Sequence, residues 1–260
     1  TYREAGRVGE AIELYEQLLT EVRRVLGDDH PDTLTTRHNL AHTYREAGRV
    51  GEAIELYEQL LTEVRRVLGD DHPHTLITRN QLATAYETAG RVGEAIELFE
   101  QLLTDNRRVL GDDHPGSLTT RHNIAHAYQE AGRVGEAIEL YEQLLTDNRR
   151  VLGDDHPDTL ITRNQLAYAY RAAGRVGEAI ELFERVLTDR RRVLGDDHPD
   201  TLATRHNLAG AYRAAGRVGE AIELYERVLT DRRRVLGDDH PDTLNTRNEF
   251  TAARKRRGSR

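Results

Sequence analysis

Apolar residues recur at the spacing of one helix face in a segment that begins at Val50. They follow at intervals of three and four residues through Ile54 and Tyr57 to Leu68. Such spacing is typical of a helix that buries one side. It predicts a helix over Val50–Leu68, here named helix B. We expect Gly51 to be small because helix B comes closest to its neighbour there.

A second stripe precedes helix B and predicts another helix, here named helix A, over about Asp32–Ala47. Its apolar positions are Leu34, Leu40, Ala41, Tyr44 and Ala47. Gly48 then ends helix A, since glycine tolerates the backbone angles that close a helix. The two patterns together predict a hairpin of two helices.

The segment from Gly27 to Pro31 separates one helix B from the next helix A. Gly27 can take the left-handed conformation that closes a helix. Pro31 suits a first helical turn, where its missing N–H is no loss. Asp28 and Asp29 place negative charge and capping oxygens near the start of helix A. We therefore interpret the Asp-Asp-His sequence of this loop as helix capping.

The whole pattern repeats every 42 residues, with the glycine that ends helix A at Gly6, Gly48, Gly90, Gly132, Gly174 and Gly216. A period of this length predicts a solenoid of stacked hairpins. The fold class is therefore all-α, and residues 1–260 form a single repeat array. The array has a helix A stub at residues 1–5, units of 42 residues, and a polar capping helix at about 242–257. Nested variants among the copies indicate tandem duplication, and the start within a unit suggests a fragment of a longer protein.

Composition narrows the classes of function. The net charge of −8 argues against general nucleic-acid binding. The lack of cysteine excludes disulfides and thiolate metal sites. No apolar stretch approaches the ~18 residues of a membrane span, and no signal peptide is visible. We expect a cytoplasmic protein without membrane contact.

Six positions that recur in every full unit resemble the consensus of the tetratricopeptide repeat; in the first unit they are Leu40, Ala41, Tyr44, Gly48, Ala53 and Tyr57. The 42-residue period, with Leu-Gly-x-Asp-His-Pro between units, is similar to the kinesin light chain type. Bacterial relatives of that type often follow a signalling NTPase module. The resemblance implies a right-handed α-solenoid of stacked antiparallel helix pairs. It also implies that helix A lines a concave groove that binds peptide or protein segments.

Arg37 and its equivalents depart from this family pattern, because the family usually has a large apolar residue there. We expect the stem of Arg37 to pack while its guanidinium reaches an acidic neighbour, for example in the Asp-Asp loop.

The copies differ mainly on one face of helix A, whereas helix B is nearly constant. The varying positions, here named the variable stripe, are those equivalent to Thr35, His38, Asn39, His42, Arg45 and Glu46. Their spacing places them on one helix face, which by the resemblance lines the groove. Amide side chains there can donate to and accept from an extended peptide backbone. The alternative is free drift of exposed positions. The predicted groove residues are Thr35, His38, Asn39, His42, Ile77, Asn80, Gln81, His122, Asn123, His126, Ile161, Asn164, Gln165, Tyr168, His206, Asn207 and Asn248.

Other chemistry finds little support in the residues. An active site at Asp-Asp-His would require the same site in every unit. The pairs His38/His42 and His122/His126 have a spacing that can hold zinc, but no third ligand is evident. Serine is rare and cysteine absent, which argues against a catalytic nucleophile. We predict no enzyme activity, no cofactor and no metal site.

Three functional hypotheses remain. The first is a protein-interaction scaffold, the sensor or docking part of a larger bacterial signalling protein. The second is head-to-tail self-assembly, because the stub at residues 1–5 leaves the first helix B poorly covered. The third is nucleic-acid binding by the basic runs 190–192, 232–234 and 254–257; the alternative for these runs is ion pairing with glutamates of helix B.

Overall fold

The structure, a computed structural model, describes residues 7–258 and the side chains of residues 7–255. This part of the chain forms twelve α-helices and no β-strand, which confirms the all-α prediction. The predicted stub at residues 1–5 lies outside the described residues. The helices are α1 (Val8–Leu26), α2 (Pro31–Glu46), α3 (Val50–Leu68), α4 (Pro73–Thr88), α5 (Val92–Leu110), α6 (Pro115–Glu130), α7 (Val134–Val151), α8 (Pro157–Ala172), α9 (Val176–Leu194), α10 (Pro199–Ala214), α11 (Val218–Leu236) and α12 (Pro241–Gly258).

The helix bounds agree with the predictions to about one residue. Helix α3 has the bounds predicted for helix B, and α2 begins and ends one residue before the range predicted for helix A. Even-numbered helices are therefore copies of helix A and odd-numbered helices are copies of helix B.

The chain divides into two compact units, Thr1–Gly132 and Arg133–Arg260. Consecutive helices pack on each other from α1 to α6 in the first unit and from α7 to α12 in the second. Copies of helix A also touch directly, α2 with α4 and α8 with α10. Each unit is thus a stack of antiparallel helix pairs. The single array over residues 1–260 stays a prediction.

The core of each unit is the apolar face of helix B enclosed by copies of helix A. In the first unit Tyr57 and Leu60 are fully buried, and Leu34 and Leu82 lie in the same cluster. In the second, Phe183 takes the position of Tyr57. Burial of each such side chain contributes roughly 1.5–3 kcal/mol. The expectation for Gly51 is wrong: a Cβ there would meet nothing within 4 Å, because the residue faces open space.

The turn from helix A to helix B closes with two backbone hydrogen bonds. Gly48 has φ +76°; its N–H donates to Arg45 O at 3.0 Å, and the N–H of Arg49 donates to Tyr44 O at 2.9 Å. This is the Schellman arrangement, in which a positive φ lets the chain satisfy the last helical carbonyls. It brings Arg49 over the Tyr44 ring, with its Cζ at 4.4 Å from the ring centroid.

A tyrosine–glutamate hydrogen bond joins each copy of helix A to the preceding helix B. The Tyr44 hydroxyl donates to Glu16 Oε1 at 2.7 Å. The same bond, always 28 residues apart, recurs at Tyr86, Tyr128, Tyr170 and Tyr212. It fixes the offset between neighbouring helices in both units.

The loop before helix A is capped by its histidine, which corrects the assignment of capping to the two aspartates. His30 is the N-cap residue of α2, and its Nδ1 accepts from the Asp32 N–H at 3.2 Å. Pro31 is the first helical residue, as predicted. Gly27 has φ +86° as expected, but its ψ of 170° is extended rather than left-handed helical.

The loop aspartates instead pair with arginines, and they explain the unusual buried arginine of helix A. Arg205 is almost fully buried; it donates to Asp231 Oδ2 at 2.5 Å on helix B and to Asp196 Oδ1 at 2.8 Å in the loop. Arg37 is equally buried and pairs with Glu63 of helix B. The expected acidic partner of this arginine is confirmed, and the loop supplies only the second of its two contacts.

Candidate functional site

The predicted groove residues lie along the copies of helix A and are partly open to solvent. In the first unit Thr35 is exposed and Ile77 is 51% exposed. In the second, Ile161 is 38% and Tyr168 is 37% exposed, and Asn248 is also exposed. The remaining predicted residues are half-buried: His38, Asn39, His42, Asn80, Gln81, His122, Asn123, His126, Asn164, Gln165, His206 and Asn207.

Several side chains of the variable stripe bond to the next helix A rather than standing free. In the first unit Asn123 Nδ2 donates to Asn80 Oδ1 at 3.0 Å, and Arg45 donates to Gln81 Oε1 at 3.0 Å. In the second, the Thr204 hydroxyl donates to Asn164 Oδ1 at 3.4 Å. These amide oxygens are therefore engaged inside each unit. The expected use of both amide atoms by a ligand narrows to the NH2 groups.

Two stripe histidines are packed as neutral rings. His38 meets the Tyr57 ring edge-on at 5.6 Å, and His206 meets the Tyr225 ring at 5.3 Å. Burial, reinforced by His74, lowers the pKa of His38 to about 4. Burial likewise lowers the pKa of His206 to about 4. Both rings therefore shape the stripe without carrying charge at neutral pH.

His126 has the opposite electrostatics. Its Nδ1 lies 2.6 Å from the Glu87 carboxylate on the neighbouring helix A. That hydrogen bond raises the pKa of His126 against the effect of its burial. Within the part of the chain that the structure describes, no group of three or more His, Cys, Asp or Glu side chains could hold a metal ion.

The basic runs of the second unit are engaged inside the fold. Arg190 is 4% exposed and donates to the Asp200 carbonyl at 2.9 Å and to the Thr204 hydroxyl at 2.7 Å. Arg192 pairs with Asp155. The equivalents Arg232 and Arg234 repeat these contacts. Loop aspartates, not helix B glutamates, are thus the acidic partners.

A cleft of about 480 Å³ opens in the first unit between the N-terminal parts of α4 and α6, above the C-terminal part of α5. Its apolar lining includes Leu76, Ile77 and Leu102, and the stripe amides Asn80 and Gln81 line it as well. Asn106 of α5 and Gly116 of α6 complete the lining. The predicted residues Ile77, Asn80 and Gln81 are thus brought together around one opening.

Asn106 and Gly116 are the residues that the sequence analysis missed. Asn106 is 4% exposed, and its Nδ2 donates to the Thr120 hydroxyl at 3.0 Å and to Gly116 O at 3.3 Å. Its position is one of the few that vary in helix B, with Val64, Asn106 and Arg190 at equivalent places. Variation at a buried position of an otherwise constant helix was the signal that could have found it.

Comparison with known proteins supports the repeat assignment across the chain. The sequence profile of the tetratricopeptide repeat family matches residues 1–62, 39–107, 93–150, 118–190, 159–234 and 206–259. A search of curated proteins finds no match. None of the described helices is long and apolar enough to cross a membrane.

Three solved structures illustrate the similarity. A putative kinesin light chain from Podosopora anserina with nearly identical repeats is 40% identical, with a TM-score of 0.69 over 79% of this chain and 97% of that chain. BtubC from P. vanneervenii is 23% identical, with a TM-score of 0.75 over 90% of this chain and 94% of that one. The tetratricopeptide sensor protein of the signal transduction ATPases with numerous domains from Pyrococcus horikoshii is 15% identical, with a TM-score of 0.74 over 98% of this chain and 37% of that chain.

The two low-identity likenesses show the fold alone, whereas the profile matches and the 40% identity show the family. Repeats of this family are general protein-interaction scaffolds without catalytic machinery of their own. The twelve described helices, their pairwise packing and the 42-residue period agree with that assignment. The chain belongs to the tetratricopeptide repeat family and is of the kinesin light chain-like type.

Proposed function

We propose that the variable stripe docks a peptide or protein segment in an extended conformation. The chain would then serve as the sensor or docking part of a larger signalling protein in the cytoplasm of a bacterium. The Pyrococcus horikoshii neighbour, whose repeats are described as a sensor, supports this direction. The chain itself would bind and would not catalyse a reaction.

One observation carries the proposal. The frame of helix B is almost constant among the copies, whereas the variable stripe changes from copy to copy. Its side chains are half-exposed in both units. A fixed scaffold with one changing, solvent-accessible face is what partner recognition requires.

The energetics require apolar anchors in addition to amides. A hydrogen bond contributes about 1 kcal/mol net, whereas micromolar affinity needs about −8 kcal/mol. A few amides cannot reach that value after the segment has been ordered. Ile77, Ile161 and Tyr168 are the large apolar side chains that the stripe exposes. We therefore expect modest affinity at any one unit and stronger binding by a segment that contacts several.

A peptide-array screen followed by titration of the best binder tests this function. The double variant Asn123→Ala with Asn164→Ala removes one stripe amide from each unit. We expect it to weaken binding at least about tenfold, because two hydrogen bonds of about 1 kcal/mol each are lost.

The matched control is Gln59→Ala with Gln143→Ala, which removes two exposed amides of helix B. Its affinity should equal that of the wild type. If the stripe variant also binds like the wild type, or if both variants lose binding equally, the stripe is not the docking surface.

Self-association is a second candidate, favoured by the exposed face of α1. Leu14 is 48%, Leu18 is 43% and Val25 is 65% exposed, whereas Leu60, the equivalent of Leu18 in α3, is fully buried. A second copy could cover this face as helix A covers helix B within a unit. Light scattering against concentration checks it: mass should grow with concentration and Leu14→Glu with Leu18→Glu should abolish the growth. A mass that stays constant excludes it.

Nucleic-acid binding is the weakest of the three hypotheses. Arg190 and Arg232 are buried, and Arg192 and Arg234 pair with aspartates. A salt-dependent mobility shift would be the sign of such binding, and we expect none at physiological salt.

A further inference from the structure

The cleft between α4 and α6 combines an apolar interior with donors along its lining. Pro73, Leu76, Leu102 and Leu110 supply apolar surface, and the exposed Ile77 stands beside them. Its volume of about 480 Å³ falls within the ~300–1,000 Å³ usual for ligand pockets. That is more space than one side chain fills, so an occupant would bring a side chain together with adjoining backbone.

The polar lining selects for an acceptor on that occupant. The oxygens of Asn80 and Gln81 already accept hydrogen bonds from Asn123 and Arg45. Their NH2 groups have no hydrogen-bond partner within the described residues and can donate. A peptide carbonyl is an acceptor of the right kind. The lining therefore fits an uncharged apolar side chain with an adjoining backbone carbonyl.

The equivalent place in the second unit has a different interior. Arg190, the counterpart of Asn106, reaches the same two kinds of acceptor: the carbonyl of Asp200 and the hydroxyl of Thr204. It does so with a longer side chain that is also buried, at 4% exposure. Asp200 further replaces Gly116, at which a Cβ would meet Leu110 Cδ1 at 3.3 Å and His114 Nδ1 at 3.2 Å. Both changes add atoms where the first unit has open space.

Asn106 also carries an unpaired polar atom beside the cleft. Its Nδ2 is bonded, whereas its Oδ1 is buried without a hydrogen-bond partner in the described residues. A buried acceptor without a partner costs about 1–3 kcal/mol, so it is rarely kept without a reason. A short residue at this position leaves the cleft open above α5.

We propose that the cleft is the anchor pocket of the docking surface. It takes one aliphatic side chain and the adjoining carbonyl of an extended polypeptide, and the residue at the Asn106 position decides which copies of the unit offer such a pocket. This inference rests on the proposed function and adds the chemistry of the anchor. Asn106 opens the pocket beside Ile77, and Arg190 fills the corresponding space beside Ile161.

The test uses N-acetyl-leucine methylamide as a minimal probe, with the full chain labelled at isoleucine δ-methyl groups for NMR. The probe is titrated to about 50 mM, because a ligand of this size reaches millimolar affinity at best. We expect the Ile77 methyl signal to shift with a saturable curve. The Ile161 methyl, equally placed but beside Arg190, should not shift. N-acetyl-alanine methylamide and N-acetyl-glutamate methylamide should bind at least about tenfold more weakly.

Two variants then move the pocket. Asn106→Arg copies a residue that this chain already holds at the same position, and it should weaken the Ile77 response at least tenfold. Arg190→Asn with Asp200→Gly should create a response at Ile161, a gain that misfolding cannot imitate. The inference is overturned if Ile77 does not respond, if it responds equally to the alanine probe, if folded Asn106→Arg leaves the response intact, or if Ile161 stays silent in the double variant.

The two proposals can fail separately. If an array peptide binds through Asn123 and Asn164 while the leucine probe leaves Ile77 unmoved, docking stands and the anchor pocket is wrong. If the probe binds as described but no array peptide does, the pocket exists and the docking function is wrong.

Discussion

Two glycines of the hairpin have opposite roles at the scale of single residues. Gly51 lies in the first turn of helix B, where an added Cβ would meet nothing within 4 Å, whereas Gly48 has φ +76°. Alanine costs little where the backbone is helical and is strained where φ is positive. The same sequence letter thus marks a dispensable residue and a required one.

We predict that Gly51→Ala raises the free energy of unfolding by up to about 1 kcal/mol, because alanine restricts the unfolded chain. Gly48→Ala should lower it by about 1 kcal/mol or more, because it opposes the Schellman turn. Urea denaturation monitored by circular dichroism gives both values. Equal effects of the two substitutions would contradict the assigned backbone roles.

The buried histidines predict a pH dependence with a definite sign. Unfolded His206 takes up a proton below about pH 6.5, whereas the folded ring, with its pKa of about 4, stays neutral until then. Between these values the unfolded state binds more protons, so stability falls as the pH falls. The loss should be on the order of 2 kcal/mol.

His206→Asn should remove this loss, because asparagine occupies the equivalent positions Asn80 and Asn164 and does not titrate. Unfolding free energies of wild type and variant, measured from pH 7 to pH 4, give the difference. Parallel curves across this range would mean that the folded ring takes up its proton at an ordinary pH.

At the scale of the elements, buried ion pairs join helix A to helix B. Asp231 receives a hydrogen bond from Arg205, whose side chain is 5% exposed. The pair of Arg233 with Asp238 is exposed by contrast, with Asp238 at 72%. Only the first pair holds a charge that water cannot reach if its partner is removed.

We predict that Asp231→Ala lowers the free energy of unfolding by about 3 kcal/mol, since it leaves a buried guanidinium with Asp196 alone. The matched control Asp238→Ala should cost less than about 1 kcal/mol, because exposed ion pairs contribute little. Denaturant titrations of both variants check this. A loss of under about 1 kcal/mol for Asp231→Ala would show that the buried pair contributes no net stability.

Most of the element layout could be predicted because helix bounds depend on local signals. Apolar spacing gives α3, and Pro31 and Gly48 give the limits of α2. The details that were wrong depend on which atoms meet: His30 caps its helix although the adjacent aspartates looked better suited. The inter-helix bonds of Asn80 and Gln81, and the cleft beside Asn106, depend on side chains far apart in sequence and could not be predicted from one unit.

At the scale of the whole molecule, repeat proteins open from their least covered helices. Helix α1 exposes Leu14, Leu18 and Val25, whereas α3 buries Tyr57, Leu60 and Val64 completely. We predict faster amide hydrogen exchange in α1 than in α3, by at least about tenfold at matched positions of these near-identical helices. Mass spectrometry of exchanged peptides measures this. Equal protection in α1 and α3 would contradict the prediction and would also indicate that another molecule covers α1.

The tyrosine–glutamate bond has a consequence for how such a gene changes length. Each bond spans 28 residues and involves partners that every copy supplies. Misaligned recombination that gains or loses a multiple of 42 residues would restore an identical bond at the new junction. Any other change in length would separate a tyrosine from its glutamate and shift the apolar face of the next helix. The bond therefore acts as a length filter, under which lineages of this protein differ by whole repeats.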